Sequence, residues 1–327
     1  MQKEECIVVG GGPCGLSAAI ALKEMGKNPL VIEKGNIVNA IYRYPTHQTF
    51  FSSSEKLAIG DVPFIIEERK PKRNQALTYY REVVKLKKLR INRFECVQKV
   101  EKQANGVFHV HTAKGRYETP YVVIATGYYD HPNYMNIPGE DLPKVFHYFK
   151  EAHPYFDTDV VVIGGKNSSV DAALELHKAG ARVTVLYRGN DYSSSIKPWI
   201  LPEFQALVRD GEIAMKFEAE VDEITEDEVI YHQNGVQKRL KNDFVFAMTG
   251  YHPDHSFLTK IGVEVDEESG RPIYDNETKE TNVEGIFIAG VIAAGNNANE
   301  IFIENGRFHG REIAAAIAAR ENIHIES

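Results

Sequence analysis

Cys6-Ile7-Val8-Val9-Gly10-Gly11-Gly12-Pro13-Cys14-Gly15 decides how the rest of this chain is read. An apolar run of strand length breaks into glycines spaced Gly10-x-Gly12-x-x-Gly15, and Pro13 stands where a helix would open. Each glycine has a physical task. Gly10 turns tightly, Gly12 lets backbone N–H groups approach a pyrophosphate, and Gly15 lets helix and strand touch. The helix N-terminus adds partial positive charge for the phosphates. A second apolar strand, Asn28 to Glu33, closes on a carboxylate at the distance expected for a ribose contact, with Lys34 beside it. Strand, glycine turn, helix, strand and acid together predict a dinucleotide-binding βαβ unit using Gly10, Gly12, Pro13, Cys14, Gly15, Glu33 and Lys34.

The same pattern returns in Val160 to Arg188. Gly10 aligns with Gly164, Ala18 and Ala19 with Ala172 and Ala173, Leu22 with Leu176, and Gly26 with Gly180, where a helix C-cap is wanted. The copies differ where specificity is set. Tyr187 replaces Glu33 and Arg188 follows it, so the first site suits a ribose with free hydroxyls and the second a 2′-phosphate that Arg188 can grip, joined by Lys197. The second loop reads Gly164-Gly165-Lys166-Asn167-Ser168-Ser169, with Lys166 in the place of Gly12 and Ser169 in that of Gly15. A side chain at the second glycine position predicts a looser hold on the pyrophosphate, assisted by the Lys166 ammonium, as suits a dissociating NADPH.

Each half then closes alike. Val107 to Tyr117 reads as a hairpin, and a buried strand, Tyr121 to Ala125, ends in Thr126-Gly127-Tyr128; Glu228 to Leu240 turns at Asn234-Gly235, and Phe244 to Met248 ends in Thr249-Gly250-Tyr251. Proline-punctuated stretches mark the passages between halves, and the tail returns to a strand, Gly285 to Gly290, followed by an amphipathic helix from about Asn299 to Arg320. The expected fold is α/β: two Rossmann-like dinucleotide-binding domains, each with a β-hairpin or meander layer. Residues 154–250 form a domain inserted into a discontinuous one made of 1–130 and 251–327, with 131–153 as the crossing segment.

The 327 residues suffice for two cores of about 100–200 residues each. A net charge of -8 argues against a nucleic-acid scaffold or a basic membrane-surface protein. No apolar run approaches the roughly 18 residues that span a membrane. The charged start Met1-Gln2-Lys3-Glu4-Glu5 leads straight into a strand, and the cysteines Cys6, Cys14 and Cys96 make neither an even set nor a C-x-x-C, so a cytoplasmic protein with reduced thiols is expected. His109 and His111 alternate on a strand, but neither a third histidine nor a carboxylate completes a set, and no metal is expected.

The doubled glycine loops, the Ala125-Thr126-Gly127 closure and the terminal Ile288-Ala289-Gly290 strand resemble the thioredoxin reductase-like flavoproteins with two dinucleotide-binding domains. More narrowly, GGGPCG, Tyr44-Pro45-Thr46 with Phe50-Phe51-Ser52, Ser54-Glu55-Lys56-Leu57 and GGKNSS resemble the bacillithiol disulfide reductases. That resemblance implies FAD in the first domain, NADPH in the inserted one, a small-molecule disulfide as substrate and a homo-oligomer. In this family hydride passes from NADPH to the flavin and an electron pair then passes to the disulfide. The resemblance brings Tyr42 and His47 beside the flavin, and Thr126, Gly127 and Gly290 against the cofactor. Two departures stand out. The C-x-x-C of thioredoxin reductases is missing, and Val291 follows Gly290 where such flavoproteins carry an acid. Glu300 and Ile301, at the start of the last helix, are candidates to place its positive end near the flavin. A flavin monooxygenase, a ferredoxin- or flavodoxin-NADP reductase and a redox-sensing flavoprotein are the competing readings.

Cys14 has two readings. In the first helical turn, amide dipoles would favour its thiolate, a nucleophile toward a small disulfide, and the family resemblance names it as the active cysteine. Alternatively it is a small side chain filling a tight position, because a nearby pyrophosphate would repel a thiolate.

Overall fold

A computed structural model of the chain describes residues 1–297 and 299–321. It divides into two compact units, residues 1–131 with 251 onward, and Pro132–Gly250.

In the first unit the opening strand, Ile7–Val9, lies at the centre of a five-stranded parallel sheet ordered Ile286–Ile288, Val122–Ile124, Ile7–Val9, Leu30–Glu33, Arg90–Arg93. Val8 sits opposite Val31 and Val123. The three inner strands are buried along their whole length, as expected of a parallel sheet covered on both faces. One face packs on the helices Pro13–Glu24 and His309–Glu321 through Val8, Ala18, Leu22, Val31, Ile313 and Ile317. The small residues of the repeat explain how closely these helices approach: a side chain on Gly310 would meet the Ala18 backbone. The other face is covered by an antiparallel sheet that includes Val97–Lys102, Phe108–Thr112 and Arg116–Thr119, with Phe108 and Val110 in the shared core. His109 and His111 pair across this sheet with Glu118 at 3.5 Å and Glu101 at 3.3 Å.

The tail differs from expectation. Instead of one helix from Asn299, a short helix Ile303–Gly306 precedes a separate one, His309–Glu321. The break has a tertiary cause. Ser17 Oγ donates to the Arg307 carbonyl at 2.6 Å, while the Arg307 guanidinium donates to the carbonyls of Glu55 and Ala58. A helix that sequence reading passed over, Arg73–Leu86, buries Ala76, Tyr79, Tyr80 and Val83 on one face and leads to the edge strand Arg90–Arg93.

The second unit repeats the plan. Its parallel sheet runs Ile213–Lys216, Arg182–Leu186, Asp159–Ile163, Phe244–Ala247, Val145–Phe146. The edge strand Val145–Phe146 comes from the stretch expected as a crossing. A meander of Ala219–Ile224, Glu228–Gln233 and Val236–Lys241 covers one face, turning at Asn234 and Gly235 with φ of 53° and 75°, the pair of positive angles a tight hairpin requires. The helices Asn167–Lys178 and Leu201–Arg209 cover the other.

Candidate active site

The first glycine loop is forced by crowding on one side and open on the other. Gly10 has φ of +109°, and a Cβ there would strike the Ala125 carbonyl oxygen; a Cβ on Gly15 would strike the carbonyl oxygen of Gly10. At Gly12, which caps the helix Pro13–Glu24, a Cβ would meet nothing within 4 Å. This is an open cradle at a helix N-terminus. Glu33 is buried at the end of its strand, its Oε2 accepting the Gly11 N–H at 2.6 Å and its Oε1 the Gly35 N–H at 2.7 Å. Burial raises its pKa above the ordinary carboxylate range, against those two hydrogen bonds, which lower it. Each carboxylate oxygen keeps a lone pair for a ribose hydroxyl.

Across the loop, Thr126 Oγ1 is buried with no hydrogen-bond partner among the described residues, and beside it Gly127 (φ +73°) faces open space. An orphaned buried hydroxyl, an uncrowded helix N-terminus and a strand-end carboxylate fit the phosphates and adenosine ribose of an extended dinucleotide such as FAD. Lys34 has another partner: its ammonium pairs with Asp130 at 2.8 Å, as Arg43 also does. Tyr42 is exposed on the helix Asn39–Arg43, where its carbonyl accepts from the Arg73 guanidinium, and His47 is exposed on the following loop. Tyr44, from the same aromatic stretch, packs its ring 5.1 Å from Tyr129, which lies 4.5 Å from Tyr251.

Cys14 lies in the first turn of the helix, as read from the sequence, and is half-buried there. Cβ atoms placed on Gly290 and on Gly306 would each lie 3.0 Å from its Sγ, so both glycines make room for it. Burial pushes the thiol pKa up to about 12. Gly290 (φ +82°) donates its N–H to Nδ1 of buried His309 at 3.1 Å, and burial holds His309 below the ordinary histidine pKa, in the neutral form that can accept. The residues after Gly290 form a 3-10 turn, Val291–Ala294, with Ile292, Ala293 and Ala294 buried. Glu300 and Ile301 do not open the last helix. Glu300 pairs with Arg271, Ile301 is buried in the core, and the short helix begins two residues later because Asn305 Oδ1 accepts the Phe302 N–H at 2.7 Å.

The second loop keeps the turn and changes the lining. Gly164 (φ +132°) is crowded by the Met248 carbonyl, a Cβ lying 2.6 Å from its oxygen. Ser169, in the place of Gly15, is buried and donates to the Lys166 carbonyl at 2.7 Å. Lys166 caps the helix Asn167–Lys178 and is exposed, as is Ser168. The Tyr187 ring lies where Glu33 lies in the first unit, wedged between Gly165 and Gly189, each of which would collide with it if given a side chain. Arg188 is exposed and has no hydrogen-bond or ion-pair partner among the described residues, a free cation at the strand end.

Lys197 is already engaged within the fold. It is buried, and its ammonium donates to Asp171 at 2.6 Å rather than standing free beside Arg188. Asn167 also turns inward, its Nδ2 donating to the Ser195 carbonyl at 2.6 Å and its Oδ1 accepting the Lys197 N–H at 2.9 Å. Asp171 was missed, although it stands one helical turn after Asn167 and so shares its face.

The sequence profile of the pyridine nucleotide-disulphide oxidoreductase family matches residues 7–290. The bacilliredoxin reductase Bdr of Bacillus subtilis (strain 168) is 73% identical over 323 residues, 98% of this chain and all of that protein. Among solved structures, bacillithiol disulfide reductase Bdr from Bacillus cereus superposes with a TM-score of 0.96 at 70% identity, over 98% of this chain and 100% of that one. The Staphylococcus aureus enzyme of the same description gives 0.96 at 62% identity, with the same coverage.

Proposed function

The chain belongs to the pyridine nucleotide-disulphide oxidoreductase family, and from that membership we propose that it reduces a low-molecular-weight disulfide, bacillithiol disulfide, at the expense of NADPH and with FAD as its resident cofactor. The observation that carries this reading is the chemical asymmetry of its two glycine loops, a buried carboxylate at one strand end and an exposed arginine at the other. FAD, when bound, supplies a two-electron relay, so that NADPH, a proton and a disulfide become NADP⁺ and two thiols. The chain's own residues bind and orient. Glu33 takes the adenosine ribose of FAD, Gly12 and the helix that follows it take the phosphates, and Thr126 donates its hydroxyl. In the second loop Arg188 takes the 2′-phosphate of NADPH, and Lys166 stands where the pyrophosphate approaches.

Cys14 is the candidate for a mixed disulfide with substrate, but its packing favours the filler role. Burial pushes the thiol pKa up to about 12, which disfavours the thiolate at neutral pH, while the absence of side chains on Gly290 and Gly306 leaves space for the sulfur. Cys6, the sulfur nearest to it along the chain, is wholly buried just before the strand Ile7–Val9. The B. subtilis relative bears the name of a bacilliredoxin reductase, so a second reading has a bacilliredoxin presenting the oxidised sulfur. By analogy with the family we also propose a homo-oligomer in a reducing compartment, where Cys6, Cys14 and Cys96 stay as free thiols.

The deciding experiment mixes the NADPH-reduced, flavin-loaded protein anaerobically with bacillithiol disulfide, with oxidised bacilliredoxin, or with oxygen. Stoichiometric thiol release from the small disulfide is expected. Release only from the bacilliredoxin supports the second reading; a long-lived oxygen adduct with no disulfide reduced overturns both. Sedimentation of the loaded protein tests the oligomer, and a monomer at micromolar concentration removes it.

A further inference from the structure

The segment that leaves the end of strand Arg182–Leu186 is fastened at both ends. At its start the Tyr187 ring is wedged between Gly165 and Gly189. At its far end the Asn167 amide holds the Ser195 carbonyl and the Lys197 N–H, and Lys197, 6% exposed, reaches back to Asp171 on the same helix face. Within the segment, Ser193 Oγ and Ser195 Oγ lie 2.8 Å apart. Arg188 lies between the two fastenings and has no partner of its own among the described residues.

A lysine–carboxylate pair whose lysine is buried and whose aspartate is partly exposed gains little net stability over an apolar pair, but removing one partner leaves the other as an unpaired charge. Burial already pushes the Asp171 pKa up, and the Lys197 ammonium pulls it back down. A carboxylate stranded in the second turn of this helix would also lie near the positive end that serves phosphates. From this geometry we infer that Lys197 and Asp171 form a positioning pair for coenzyme selectivity. The pair clasps the 188–197 segment against the helix N-terminus and so holds Arg188 where it can meet a 2′-phosphate, without itself touching the nucleotide. The inference rests on the proposed NADPH role of Arg188 and deepens it.

The alternative, Lys197 as a direct phosphate ligand, makes opposite predictions in a double-mutant cycle. Affinities for NADP⁺ and NAD⁺ are measured by calorimetric titration of the oxidised, flavin-loaded protein, together with KM and kcat for NADPH. Lys197→Met and Asp171→Asn should each weaken NADP⁺ binding about tenfold or more, with NAD⁺ changed less than about twofold. KM for NADPH should rise while kcat is kept, and Lys197→Arg should restore most of the affinity. The double variant Asp171→Asn/Lys197→Met strands no charge and keeps the backbone bonds of Asn167, so its NADP⁺ affinity should return to within about threefold of the wild type. Because the double variant removes the stranded charge, it tests the pair even if a single variant fails to fold. A double variant as weak as, or weaker than, Lys197→Met overturns the inference and makes Lys197 a ligand. Equal losses for NAD⁺ and NADP⁺ overturn it as well, by reducing the pair to general stability. A wild type that does not prefer NADP⁺ is a distinct result that removes the Arg188 role on which the pair depends.

Discussion

The two glycine loops share one backbone plan and line it with opposite chemistry. In both, the first glycine has a positive φ, +109° at Gly10 and +132° at Gly164, and is pressed by a carbonyl from the neighbouring strand, of Ala125 or Met248. Beyond that point the first loop is stripped to backbone. Gly12 is open, Gly15 touches Gly10, and the strand-end side chain, Glu33, folds onto Gly11 and is pinned by two N–H groups. The second loop puts side chains in every corresponding place: Lys166, Ser169 and the Tyr187 ring. A turn of this kind tolerates either lining because its shape is set by the first glycine and the adjoining strands. What differs is how much of the nucleotide the backbone can touch, which suits a retained cofactor in one unit and an exchanging one in the other.

That contrast breaks hardest at Gly10. Gly10→Ala requires a side chain at a left-handed φ and against the Ala125 carbonyl, so a loss of roughly 3 kcal/mol is expected. Chemical denaturation would read it, and the purified protein should lack bound flavin. A yellow, fully stable Gly10→Ala protein would mean the crowding is not real. Next in size is Arg188→Ala. Losing a charge-assisted contact of about 1.5–3 kcal/mol should raise KM for NADPH by about 10- to 100-fold and leave that for NADH unchanged. Steady-state rates with both coenzymes check this, and equal effects would erase the assigned asymmetry.

Ser169→Gly makes the second loop resemble the first. It removes the hydrogen bond to the Lys166 carbonyl and adds a glycine to a helix, a cost of about 1 kcal/mol in thermal unfolding, while NADPH should bind no tighter. Tighter binding would show that the second loop is looser only because of Ser169. The smallest effect is a pH dependence confined to the first unit. His309 is held below its ordinary pKa of 6.5 by burial, so the unfolded chain takes up its proton first as pH falls. Stability should decline from about pH 6.5 downward until His309 protonates in the folded protein as well. Comparing unfolding midpoints with His309→Gln isolates this slope. If both proteins decline identically, His309 does not support Gly290.

Much of the fold was legible because it is written in local spacing. The glycines, the small residues of the first helix turns, the C-cap glycines Gly26 and Gly180, and the Asn234-Gly235 hairpin act over a few residues, and their backbone demands show directly as residue type. The features that local spacing does not show have partners far along the chain. Nothing near Lys197 in the sequence says that Asp171 will take its ammonium, and Lys34 meets Asp130 in the same way. The helical periodicity of the tail is real, but Ser17 captures the Arg307 carbonyl and splits it. Cys14 is placed correctly in the first helical turn, yet the space around its sulfur is left by Gly290 and Gly306, nearly the whole chain away.

By itself, then, the order of residues determined two nucleotide cradles and which one ends in an acid and which in an arginine, because turn geometry and ribose contacts depend on residues close in sequence; the class of chemistry came from the family resemblance of its motifs. The tertiary structure alone decided which charged groups remain free to meet a ligand. A cation or thiol is available only if no distant group has buried or neutralised it, and that competition is settled by packing.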